Sequence, residues 1–339
     1  MKTKLDKYFR ISQRGSTIGT ELIGGATTFA TMAYILAYMT GAMSAVPGID
    51  LTGVLLCTAL ITAISCIAMG LVANAPIALA PVLVIPNLVA GMVASGEATY
   101  GQAFGTVAIS GIVFLLISVF KLRELFARSL PKNIKIGIGG AVGLLIASIG
   151  LNTSGLAAAG EDGSFINFSD ESVQLGLIGL AIALLLTYLK ITVNGRTYKI
   201  KGALLISIVL TTIIGIPMGV TVLPENIFTR GALASIGNVA FQVDILGALK
   251  LSFVPFIIML LINDFFGTLG TGLAMAGKAG LLDEDGNFPA FGKVFLVDSS
   301  ATILGSLFGI TTVSCFAESA AGVESGSRTG LSNLSTYML

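Results

Sequence analysis

No histidine occurs among the 339 residues. That removes Ser-His-Asp and Cys-His nucleophiles and most transition-metal sites, for which imidazole is the commonest ligand. Cysteine is almost as scarce. Cys57, Cys66 and Cys315 lie in apolar surroundings without CxxC spacing, so neither a disulfide framework nor a metal centre is expected, and all three read as buried packing residues. Charged residues make up only 11% of the chain, against about 25% in a typical soluble domain. The net charge of +1 offers no field that would draw nucleic acid. What is present in excess is apolar: 54% hydrophobic residues and a mean hydropathy of +0.93. Such a chain cannot face water over its whole surface, and its solvent is the lipid bilayer.

A helix needs about 20 mostly apolar residues to cross the hydrocarbon core, and stretches of that kind recur. Spans are expected near 21–46, 53–73, 76–95, 102–120, 134–151, 173–192, 202–221, 251–276 and 294–310, with a tenth starting near 311. This makes an all-α polytopic membrane protein. The segment 1–19 is polar and amphipathic with no cleavage signature, and reads as a surface helix ahead of the first span. Lysines and arginines of the N-terminal segment and of the 121–135, 190–201 and 277–293 loops all fall on one side, which the positive-inside rule makes cytoplasmic. The acidic 152–172 loop then lies outside.

An ionised group inside a span costs at least roughly 2.5–3.5 kcal/mol, so an intramembrane carboxylate marks a functional candidate. Two such candidates are Asp264, in IINDFFGTLGTG, and Glu318, in TTVSCFAESAAG. At helical spacing, Asp264, Gly267, Thr268 and Thr271 form one polar, small-residue stripe, and Thr311, Ser314 or Cys315, Glu318 and Gly322 form another. The bland alternative is a carboxylate bonded to a neighbouring helix. Pro76, Pro81 and Pro86 punctuate the third span, removing amide donors and breaking its helix. Irregular backbone at membrane depth is tolerated only against protein or a water-filled cavity, and broken helices near the midplane are where carriers hold substrate. GTLGTG at 267–272 has no strand before it and is not a dinucleotide loop; most glycines serve close helix packing.

TELIGGATTFATMAYILAY at 20–38, ANAPIALAP at 73–81, PKNIKIGIGGAVGLLIASIGL at 131–151, GTLGTGLAMAGKAGLLDEDG at 267–286 and TTVSCFAESAAGVESGSRTGLS at 311–332 carry a resemblance along the whole chain. They resemble the AzgA-like branch of the nucleobase/ascorbate transporter family, the hypoxanthine, adenine and guanine permeases. The resemblance implies an inverted-repeat fold of seven plus seven segments, divided into core and gate domains, with segments three and ten broken. It also implies proton-coupled symport of purines by alternating access, with the proton as coupling ion and no cofactor. By motif, Glu318 matches the glutamate that grips the purine, and the amides of Phe316 and Ala317 sit where a half-helix meets it; Glu318 and Asp264 are the candidates for proton coupling. Asp264, Gly267, Thr268 and Thr271 fall on the eighth segment of the site, and Asn87 on the third.

The sequence departs from the family pattern in three places. Gly267 stands where the second acidic residue of the DLFDTIGT-like segment is expected, and Asp264 keeps the first. In the third segment Val82 and Val84 replace glycines, Pro86 replaces asparagine, and Asn87 is displaced by one. The segments divide into a first repeat over 20–222, an extracytoplasmic connection over 223–250 and a partial second repeat over 251–339. A second repeat as long as the first would need four more segments, so the chain is expected to be a truncated product with an incomplete second repeat. The alternatives are an inverted-repeat carrier for another nucleobase or an anion, and a non-transporting truncated product. A membrane-embedded enzyme would need a nucleophile or metal cluster that the sequence lacks. A glutamate at 318 favours a ligand with N–H donors over an anion. Homodimerisation through the gate domain stays open.

Overall fold

The computed structural model describes residues 4–120, 166–193, 196–200, 203–221 and 232–338, with positions 137, 144, 147, 148, 150, 151 and 154–156 between them. The fifth expected span, the basic 121–135 loop and most of the outer loop before residue 166 therefore lie outside the described residues.

Numbered along the described chain, the helices are α1 (Lys4–Phe9), α2 (Ile18–Met32), α3 (Tyr34–Met43), α4 (Leu51–Ala68), α5 (Val84–Ala94), α6 (Tyr100–Val119), α7 (Glu171–Tyr188), α8 (Ala203–Gly215), α9 (Ile245–Ala248), α10 (Val254–Lys278), α11 (Phe291–Leu307), α12 (Ser319–Glu324) and α13 (Leu331–Met338). The strands are β1 (Leu79–Pro81), β2 (Lys190–Val193), β3 (Arg196–Lys199) and β4 (Val313–Cys315). Among the described residues five helical stretches are long and apolar enough to cross a membrane: Ile18–Met43, Leu51–Ala73, Tyr100–Val119, Glu171–Tyr188 and Leu251–Lys278.

Helix starts follow local chemistry. Thr17, Asp50, Thr99 and Asp170 each place a side-chain oxygen on an amide of the first turn, and Thr99 forms a reciprocal capping box with Gln102. The second span runs past Ala68 through one wide π turn, Met69–Ala73, and stops at Asn74. Asn74 takes the left-handed conformation, φ 48°, that a helix end favours, and Pro76 two residues on forbids continuation. Its side chain then staples distant chain ends, donating to Phe9 O at 2.9 Å and accepting from Gly330 N at 2.8 Å.

The third and tenth segments are broken, as the prolines of the third and the family pattern of both lead one to expect. Each enters the molecule as extended chain, and β1 pairs antiparallel with β4 in the register Leu79↔Cys315, Ala80↔Ser314, Pro81↔Val313. Phe316 N donates to Ala78 O and Val82 N to Thr312 O, both at 2.9 Å. In an antiparallel ladder bonded pairs alternate with non-bonded ones, so Leu79 and Pro81 occupy non-bonded positions. That is why a proline fits in the middle of this pairing: its missing N–H is not called on. Leu79, left without ladder bonds, donates its amide to Cys66 Sγ at 3.4 Å. The helical spacing expected for Thr311, Ser314 and Glu318 does not hold, because 313–315 is strand and its residues alternate sides; Thr311, Thr312 and Ser314 are nevertheless all buried.

Around this crossing α6 packs on α10 and α11, and α13 packs on α2 and α4. Phe114 of α6 meets Phe295 of α11 edge-on at 5.5 Å, and Phe265 of α10 lies 5.5 Å from the same Phe295 ring, joining the three helices through aromatic contacts. At the α4–α13 crossing, a Cβ on Gly330 would fall 2.2 Å from Gly70 O, so the backbones touch there and glycine is required. The 223–250 connection contains a 3₁₀ turn, Ala232–Asn238, against α4, and α9 against α6. Lys190–Val193 and Arg196–Lys199 form a hairpin where the sequence expectation has only a loop; Asn194-Gly195 between them is the dipeptide that favours a tight hairpin turn.

A candidate substrate and coupling site

Two polar centres flank the β1–β4 crossing, joined by the segment Val313–Glu318. The first is built on Glu318. It immediately precedes α12, so its carboxylate stands at the start of a half-helix, half-buried like Ala317 beside it. Tyr34 of α3 donates its hydroxyl to Glu318 Oε1 at 2.7 Å, and Thr31 donates to the Glu318 carbonyl at 3.3 Å. The rings of Tyr34 and Phe316 lie 6.3 Å apart, tilted by 35°. The Phe316 amide is engaged with Ala78 O, so Phe316 faces the centre with its ring, and of the two amides assigned by motif only that of Ala317 is clear of the ladder.

One turn along α3 from Tyr34, Tyr38 donates to Leu83 O at 2.6 Å and accepts from Asn87 Nδ2 at 2.7 Å. Asn87 itself is exposed on α5. Tyr34 and Tyr38 thus hold the starts of both half-helices, one residue to each. Neither is among the residues singled out from sequence, although their i, i+4 spacing in AYILAYMT puts two hydroxyls on one face of an otherwise apolar span.

The second centre lies between α10, α11 and β4. Asp264 is 2% exposed, and its Oδ2 lies within hydrogen-bond distance of the Thr302 hydroxyl, at 3.0 Å. Thr268, one turn beyond Asp264, donates to Asp298 Oδ2 at 2.5 Å and sits 2.7 Å from Ser314 Oγ. Thr302 also donates to Val313 O at 2.9 Å and accepts from Val313 N at 3.2 Å. Asp298 is wholly buried. It too goes unnoticed in the sequence reading, although FLVDSSATILG places it in the ninth span and the rule that selects Asp264 selects it equally. Thr271 is buried further along α10. Gly267 is half-buried, and a Cβ there would meet only Ser314 Oγ, at an ordinary 3.6 Å. The position that the family fills with an acid is therefore open, and directed at the broken strand.

The structure brings Asp264, Thr268 and Ser314 together around Asp298, and gathers Glu318, Phe316 and Ala317 beside Tyr34. Asn87 joins the second group only through Tyr38. A further buried carboxylate, Glu21 of α2, accepts from Arg328 N at 2.9 Å and Thr329 N at 3.2 Å and anchors the turn that leads into α13. Arg14 donates to Asn74 O and Arg328 O, at 2.6 and 2.9 Å, on the same side. Among the described residues no three His, Cys, Asp or Glu side chains gather as a metal site.

A family model described as a permease family matches residues 19–332. The chain belongs to this permease family. Curated relatives include the adenine permease AdeP of Escherichia coli, 32% identical over 96% of this chain and 71% of that protein. The guanine/hypoxanthine permease GhxP of Escherichia coli is 31% identical over 99% and 74%, and the guanine/hypoxanthine permease PbuG of Bacillus subtilis 31% over 98% and 76%. The fold is like that of the transmembrane domain of a cyanobacterium bicarbonate transporter, BicA, with a TM-score of 0.55 at 19% identity over 94% of this chain and 79% of that one. SLC26A9 aligns with a TM-score of 0.56 at 15% identity, over 99% of this chain and 53% of that one. The permease is therefore a multi-pass membrane transporter with the inverted-repeat fold, and not an enzyme.

Proposed function

We propose that this permease carries purine nucleobases, hypoxanthine, adenine or guanine, across the cytoplasmic membrane in symport with protons, with its N-terminus in the cytoplasm. The observation that carries the proposal is the setting of Glu318. A half-buried carboxylate at the start of a half-helix, with one oxygen fixed by Tyr34 and the Phe316 ring alongside, can accept two N–H donors from the edge of a purine while the ring covers its face. An anion at the same point would meet a like charge. The names of the relatives support the substrate class. Alternating access would move the β1–β4 crossing and its half-helices against the remaining helices, and Asp264, outside the Glu318 centre, suits the coupling role better than substrate contact. Gly267, Thr268, Thr271 and Asn87 complete the surroundings, and no cofactor is needed beyond the proton.

The test is uptake of radiolabelled hypoxanthine, adenine, guanine and uracil by a permease-deficient host expressing the protein, with and without a protonophore. Purine accumulation that the protonophore abolishes, and that Glu318→Gln removes, is expected. Accumulation of none of the purines, or transport unaltered by Glu318→Gln, would overturn the assignment.

A further inference from the structure

Helices α10 and α11 carry the same short pattern, an aspartate followed one turn later by a threonine: Asp264 with Thr268, and Asp298 with Thr302. The two pairs bond reciprocally. Thr302 of α11 reaches Asp264 of α10, and Thr268 of α10 reaches Asp298 of α11. Both carboxyls are withdrawn from solvent, at 2% and 0% exposure, and one oxygen of each, Asp264 Oδ1 and Asp298 Oδ1, has no hydrogen-bond partner among the described residues.

No described cation faces them. The elements packed against α10 and α11 are α6, α4 with its π turn, β4, α12 and the short turn Leu251–Phe253. Their titratable groups are Tyr100, Cys57, Cys66, Cys315 and Glu324, none of them basic. On the two helices themselves Lys278 and Lys293 are exposed, and Lys278 is paired with Glu324. Two ionised carboxylates on neighbouring helix turns, out of water and with no counter-charge among the described residues, repel each other and lose solvation together, so they do not both ionise.

The hydrogen-bond geometry around Thr302 favours Asp264 as the neutral one. Thr302 has a single proton but lies 3.0 Å from Asp264 Oδ2 and 2.9 Å from Val313 O. Val313 occupies a non-bonded ladder position, so its carbonyl gets no donor from β1. With Asp264 ionised, one proton would have to serve two acceptors. A proton on Asp264 Oδ2 donates to Thr302, which is then free to donate to Val313 O, and both of these contacts are satisfied. On the other side Ser314 can donate to Thr268 and Thr268 to Asp298.

We propose that this clasp is a proton store separate from the substrate centre, with Asp264 bearing the proton and Asp298 as its buried anionic partner. When Asp264 Oδ2–H gives its proton to an accepting water or base, the Thr302 hydroxyl turns from Val313 O to the new carboxylate. Val313 then loses its donor, and the grip of α11 on β4 loosens. The proton store stands on the clasp alone, and its use in transport rests on the proton-coupled function proposed above.

The experiment is infrared spectroscopy of the full chain in nanodiscs at neutral pH, with and without ¹³C-aspartate, in sodium and in choline buffer, and with no substrate present. The result expected is a protonated-carboxyl stretch that moves with the aspartate label, is the same in both buffers, is lost in Asp264→Asn and is kept in Asp298→Asn. Absence of the band from the parent protein, its survival at parental intensity in Asp264→Asn, its loss in Asp298→Asn, or its appearance only when sodium is withdrawn would each overturn the proposal. The parent spectrum alone decides the first and last of these, so an unstable variant does not shelter the idea. Because no purine is involved, failure of purine uptake leaves this result standing, and failure here leaves the purine assignment standing.

Discussion

Replacing Thr302 by valine removes one oxygen and keeps the shape of the side chain, yet the structure makes it a costly change. The hydroxyl serves three buried groups at once: the Asp264 carboxyl at 3.0 Å, the Val313 carbonyl at 2.9 Å and the Val313 amide at 3.2 Å. Val313 finds no ladder partner across from Pro81, so its amide and carbonyl both depend on Thr302. Leaving a buried polar group unsatisfied costs about 1–3 kcal/mol in water-soluble proteins, and polar contacts between membrane helices average less, near 0.6 kcal/mol. Three groups at intermediate values give a loss of about 2–4 kcal/mol. At roughly 2–4 °C per kcal/mol for a domain of a few hundred residues, the melting temperature in detergent should fall by about 5–15 °C. Thr302→Ser, which keeps the oxygen, should recover most of it. A Thr302→Val protein melting within a degree or so of the parent would refute the assignment of these bonds and the mechanical link from α11 to β4.

Other consequences follow from single contacts. Gly330→Ala places a methyl 2.2 Å from the Gly70 carbonyl and should destabilise the protein by about 3 kcal/mol or more by forcing α4 and α13 apart, whereas Gly267→Ala meets only Ser314 Oγ at 3.6 Å and should stabilise it by up to about 1 kcal/mol through helix propensity; parallel thermal melts check both. Tyr34→Phe should weaken purine binding several-fold without lowering the melting temperature by more than a few degrees, since only the 2.7 Å bond to Glu318 is removed, and equilibrium binding measures it. Asp50, outside the spans, bonds first to the Asn238 amide and then to the Gly53 amide, which holds its carboxyl below the ordinary value of 3.8. A depressed folded value means that this contribution is full above pH 3.8 and is lost as pH falls below it, so the melting difference between the parent and Asp50→Asn should be present at pH 6 and shrink toward pH 3.

Much of this was legible in the chain before any coordinates. Apolar runs and cap residues such as Thr99 and Asp50 locate the spans, and three prolines announce the break in the third segment. Hydropathy could not say that the tenth segment enters as strand, because β4 exists only by pairing with β1 some 230 residues earlier in the chain. The same non-local pairing explains why Pro81 is harmless. Asp264 and Glu318 stand out by the cost of an intramembrane charge. Asp298 obeys the same rule but is inconspicuous in VDSSATILG, where its neighbours read as small packing residues and its partner Thr268 lies on another segment. Tyr34 and Tyr38 resemble ordinary interfacial aromatics until their hydroxyls are seen on Glu318 and Leu83.

The most direct test of a purine site at Glu318 is equilibrium binding of hypoxanthine, adenine and guanine to the purified protein, with uracil and bicarbonate as competitors. Saturable binding of at least one purine, displaced by neither competitor and lost in Glu318→Gln while the fold is kept, is the predicted result. Purine binding that Glu318→Gln leaves intact, or displacement by bicarbonate, would contradict it.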